Sequence, residues 1–90
     1  MTGAEQHNPT LELADKLEKE LLDKYGQMVG GKDLQKALGY RSGDAFRQAV
    51  SRNTVPVPIF PIDNRRGRFA LVCDIASWLA KQRYQQAITE

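Results

Sequence analysis

Ninety residues make one domain, and 41% apolar with 27% charged residues is the balance of an ordinary soluble globule. No apolar run approaches the roughly 18 residues of a membrane span, and the opening MTGAEQHNP lacks the basic and apolar blocks of a secretory signal, so a cytoplasmic protein without a membrane partner is expected. The formal charge of +2 divides unevenly: residues 1–25 hold six acids against three lysines, a net of −3, whereas residues 26–83 hold ten cations against four acids, a net of +6, which points to a polyanionic partner for the second part.

Residues 1–9, with the sole histidine His7 among them, are expected to form a disordered tail. An amphipathic helix is predicted over 10–25, introduced by Asn8 as N-cap and Pro9 at the first helical position and closed by Gly26. Ala14, Leu17, Leu21 and Tyr25, flanked by Leu13 and Leu22, repeat with helical period, and acids dominate the opposite side. A coiled-coil seam would use the same stripe, but two heptads favour packing on the domain itself.

QMV suits a short strand before two glycines. GQMVGGKD, residues 26–33, satisfies G-x-x-x-x-G-K and then fails, because a phosphate-binding loop needs Ser or Thr where Asp33 stands. The glycines are better explained as the turn and N-cap of the next helix. Residues 31–53 then form a helix-turn-helix: Leu34, Ala37 and Leu38 give the first helix its apolar face, Gly39 ends it in the left-handed conformation, and Ser42 caps the second. In that second helix Phe46, Ala49 and Val50 point inward, while Asp44, Arg47, Gln48, Ser51 and Arg52 line a wholly polar face.

Prolines at 56, 58 and 61 limit the next segment to an extended edge strand. DNRRG has the residues of a hairpin loop and RFALV those of a returning strand, so residues 55–71 are predicted to form a β-hairpin wing. A last helix follows over 73–88, with Ile75, Trp78 and Leu79 on its core side and Tyr84 and Ile88 on another, where they are frayed or touch a partner. Cys73 is expected to be a small buried hydrophobe, and one cysteine with one histidine closes neither a disulfide nor a zinc site. The fold class expected is mainly α with a small β-hairpin: a single winged helix-turn-helix domain over 10–90 with an added N-terminal helix.

Nothing in this arrangement suits acid–base or nucleophilic chemistry, and neither an enzyme nor a cofactor is expected. A helix presenting Arg47 and Gln48 has donors suited to major-groove base edges, with Ser42, Asp44, Ala45, Ser51 and Arg52 beside them. Lys32, Lys36 and Arg41 are placed to hold phosphates, and Asn64, Arg65, Arg66 and Arg68 to enter a minor groove or grip the backbone as a wing. Double-stranded DNA is therefore the expected partner.

Residues 28–83 resemble the AlpA and phage-excisionase group of small MerR-like winged helix-turn-helix proteins. The resemblance lies in the order of DLQKALGY, SGDAFRQAVSRNTVPVP, RRGRF and DIASWLAKQ. It implies a nucleoid-associated regulator of transcription, or a recombination directionality factor of a mobile element. On that pattern Asp44, Ala45, Arg47 and Gln48 face the groove and Arg65 and Arg66 tip the wing. Gln35 stands where the group has a small alanine, Leu71 and Cys73 replace polar residues at the start of the last helix, and the N-terminal helix is an addition. One module of this size implies a homodimer, cooperative copies on adjacent sites, or an integrase or RNA polymerase partner. The rival readings are a protein-interaction adapter with the same fold and a terminase small-subunit-like DNA-packaging protein.

Overall fold

The computed structural model describes residues 8–89, with side chains placed through residue 85. Four helices, α1 (Pro9–Tyr25), α2 (Gly31–Ala37), α3 (Gly43–Ser51) and α4 (Val72–Thr89), and two short strands, β1 (Met28–Gly30) and β2 (Phe69–Leu71), make a mainly helical chain with one small sheet. The ladder is antiparallel, pairing Met28 with Leu71, Val29 with Ala70 and Gly30 with Phe69. The Val72 amide extends it by donating to the Gln27 carbonyl at 2.8 Å.

Each helix begins and ends for a local reason. Asn8 caps α1, its side-chain oxygen accepting from the Thr10 and Leu11 amides at 3.1 and 3.2 Å, with Pro9 just inside. Residues 8 and 9 therefore belong to the helix start and not to a tail; residues 1–7, His7 included, lie outside the described residues. At the end of α2, Gly39 at φ +85° lets its own amide donate to Lys36 and the Tyr40 amide to Gln35, closing the helix with a Schellman pair. Ser42 caps α3 by accepting from the Ala45 amide at 3.1 Å. A second Schellman pair closes α3, from Asn53 to Val50 and from Thr54 to Ala49, with Asn53 itself at φ +59°.

The core gathers Val29 of β1, Leu34 of α2 with Leu38 just beyond it, Val57 of the proline segment, Ala70 of β2, and Val72 and Ile75 of α4. Leu34, Val72 and Ile75 are fully buried. On α4, Ile75 lies in the core with Trp78 and Leu79 packed against it. α1 lies along α4 and contributes Leu21, Leu22 and Tyr25 to the edge of the core, yet buries no residue completely.

Three expectations are corrected. Residues 55–71 do not form a hairpin ladder of their own: β2 pairs with β1, and the proline segment contributes a single bridge between Phe60 and Phe69, with both amide–carbonyl bonds at 2.9 Å. Val57 is buried and Val55 and Ile59 pack on the core, while Pro56 and Pro58 face outward, so the segment is extended with period two but has no amide to donate at its outward positions. The last helix starts at Val72, one residue early, because Val72 enters the core from its first turn. Cys73 is exposed instead of buried, while Val72, Ile75 and Ala76 hold the inward side of the helix. Ile88 lies beyond the residues whose side chains are described, and Tyr84 is half-buried beneath the Arg83 guanidinium, 5.7 Å from its ring centre.

Candidate nucleic-acid interface

α2 and α3 are joined by only five residues, 38–42, and Gly39 and the Ser42 cap turn the chain sharply between them. Tyr40 in this turn packs edge-on against Phe46 of α3, with ring centres 5.4 Å apart, which braces α3 against the turn. The far side of α3 is left to solvent, where Asp44, Arg47, Gln48, Ser51 and Arg52 are exposed.

Between these helices and the loop that leads into β2 runs a groove of about 660 Å³. α2 supplies Gly31, Lys32, Gln35 and Lys36; α3 supplies Gly43, Phe46, Arg47, Val50 and Ser51; and the loop supplies Gly67 and Arg68. Its rim therefore carries four cations from three separate segments, and among the described residues no carboxylate lines it. Its floor is apolar, because Phe46 and Val50 are half-buried and present one side to the groove.

The loop is shaped by two left-handed residues. Asn64 at φ +65° allows the Arg65 amide to donate to the Ile62 carbonyl at 3.0 Å, and Gly67 at φ +88° reverses the chain toward Phe69. Asn64, Arg65, Arg66 and Arg68 are all exposed.

Of the residues that the sequence singles out, Lys32, Lys36, Arg47, Ser51 and Arg68 meet at this groove. Ser42 serves α3 as its cap and Ala45 donates its amide to that cap. Gln48 and Arg52 are exposed on α3 outside the groove, Arg41 is exposed in the turn, and Arg65 and Arg66 precede the groove-lining Gly67. Asp44 pairs with Arg47 of its own helix through Arg47 Nη2 and Asp44 Oδ1, both side chains being strongly exposed at 79% and 73%.

Gln35, Gly43, Phe46 and Val50 also line the groove, and the sequence does not mark them as site residues. Periodicity assigns Phe46 and Val50 to the core side, and it cannot register that they lie at the edge of that side. At Gly43 a Cβ would sit 3.4 Å from Arg47 Nη1 and 3.6 Å from Gln35 Oε1, ordinary contact distances, so side chains of α2 and α3 meet beside this residue.

No family model, curated protein or solved structure matches the chain.

Proposed function

We propose that this protein binds duplex DNA as a winged helix-turn-helix module, with α3 as the recognition helix and the loop around Arg65, Arg66 and Arg68 as the wing, and that it regulates transcription or site-specific recombination. The observation that carries the reading is the groove whose rim joins Lys32 and Lys36 of α2, Arg47 of α3 and Arg68 of the loop with no carboxylate among its described lining residues. Cations converging from three segments onto one solvent-open concavity favour a polyanion over scattered surface charge. In this reading Arg47 and Gln48 address base edges, Lys32, Lys36, Arg41 and Arg52 hold phosphates and set register, and Arg65 and Arg66 reach the neighbouring minor groove or backbone.

A module of this size covers roughly 600 to 1,000 Å² on DNA, too little for high selectivity alone. A homodimer, cooperative copies, or an integrase or polymerase partner would supply the remainder. α1 offers a surface for such contacts, since Leu11 is 61% exposed on an otherwise half-covered apolar stripe. The same helix favours the second reading, an interaction adapter, in which a partner is captured through α1 and no DNA is bound.

Affinity for duplex DNA measured against salt separates the two. With about five phosphates neutralised, log affinity should fall with log salt at a slope near −4.5. An adapter gives no complex at low salt, or a slope close to zero.

A further inference from the structure

We infer that Asp44 sets the sequence selectivity of α3 by holding Arg47; the inference rests on the DNA-binding reading of that helix. Arg47 is the one arginine of α3's exposed face within its helical span, and its guanidinium is held back toward the helix start: Nη2 meets the Asp44 carboxylate, and Nη1 lies 3.4 Å from where a Gly43 Cβ would stand, with Gln35 Oε1 3.6 Å from that point. A guanidinium so placed has donors committed to a partner before any DNA arrives. Beside Asp44 a phosphate is repelled by the carboxylate, whereas the neutral guanine edge offers its two acceptors without that cost, so the paired guanidinium favours the base edge over the backbone.

Asp44 acts a second time through its own charge. At 79% exposure it stands on the surface proposed to face a polyanion, where a carboxylate repels phosphates of any sequence. This cost falls on every duplex, and only a site whose guanine edge engages Arg47 recovers it, so selectivity rises at the expense of affinity. Asp44 is thus a positioning residue, acting through Arg47 and through the cost it imposes on unrelated DNA. An acid in the first turn of a helix also stabilises that helix, so the test needs a readout that helix stability does not move.

Asp44→Asn keeps the shape and removes the charge. First, duplexes bound by the unaltered protein are selected from a random pool, and affinities for the selected duplex and an unrelated one are measured across salt. Asp44→Asn is expected to bind the unrelated duplex more tightly and with a slope steeper by about 0.9, one further neutralised phosphate, as Arg47 is released to the backbone. The ratio of selected to unrelated affinity should fall about tenfold. In an Arg47→Ala background the same change should lose most of its effect on that ratio, and Asp44→Glu should restore part of it. Melting curves for each variant show the fold intact. Equal gains on both duplexes, or an unchanged ratio, would overturn the role of Asp44 while leaving DNA binding in place. Failure of the unaltered protein to bind any duplex at low salt would overturn the DNA-binding reading and this inference with it.

Discussion

Gly30 has no side chain because the Phe69 ring occupies its space. A Cβ at position 30 would overlap the ring at Cδ2 and stand 3.0 Å from the Arg68 carbonyl oxygen, so something would have to shift. Phe69 exchanges both backbone hydrogen bonds with Phe60 and stands opposite Gly30 in the ladder, so neither ring nor strand can retreat freely. Gly30→Ala should therefore cost about 1 to 3 kcal/mol, as overpacked sites do, read as a lower urea midpoint at unchanged slope. Arg47 stands at the opposite extreme, an exposed side chain with little to contribute to stability. Its removal by Arg47→Ala should leave the urea midpoint nearly unmoved while relaxing base preference at one position of the bound duplex by about 1 to 3 kcal/mol, which selection from a random pool would report.

The second helix of the turn pair is held at both ends by side chains that its sequence announces. Ser42 accepts from the Ala45 amide at its start, and Asn53 takes the left-handed conformation at its finish. Nine residues form too short a helix to stand alone in water, so these caps and the packing of Ala49 and Phe46 must carry it. Ser42→Ala should lower stability by about 0.5 to 2 kcal/mol. Asn53→Ala should cost about 1 kcal/mol through the left-handed backbone, whereas Asn53→Gly should be close to neutral. Thermal melts of the three variants check the order. The proline segment works by a different principle: alternation places Val55, Val57 and Ile59 against the core while Pro56 and Pro58 close the outward edge to any further strand. The loop it feeds is thereby tethered at Phe60 and Phe69, with Arg65, Arg66 and Arg68 exposed between them.

Charge and shape join at the level of the whole chain. The radius of gyration is 14.8 Å, above the roughly 12 Å of a compact chain of this length, as follows from two long helices, α1 and α4, lying together with little buried beneath the first. Acids concentrate on α1, whereas Lys32, Lys36, Arg47 and Arg68 gather at the groove, so a polyanion docked there as proposed would meet a cationic surface. The double change Arg65→Ala with Arg66→Ala should weaken binding to all duplexes nearly uniformly, and each phosphate no longer neutralised should flatten the salt slope by about 0.9. Titrations against selected and unrelated duplexes at several salt concentrations check both. A pair that served solubility alone would leave affinity unchanged.

Much of the fold is written in local chemistry. Asn8, Pro9 and Gly26 around α1, Gly39 and Ser42 around the turn, and the apolar repeats of α2 and α4 act over one to five residues, and such signals stand in the chain whatever surrounds it. The signal at Asn53 is equally local, but asparagine marks a helix end less distinctly than glycine does. Other features depend on what meets across space. The prolines limit their segment to the single Phe60–Phe69 bridge, and the ladder of β2 is made on its other edge by Met28–Gly30, some forty residues away. Cys73 is exposed although Ala76, three residues on along the same side of the helix, is buried, a difference that spacing alone does not rank. The cationic groove belongs to this second kind: Lys32, Lys36, Arg47 and Arg68 become neighbours only when the helix turn and the loop close on the same side, since packing, not sequence separation, decides which charges share a surface.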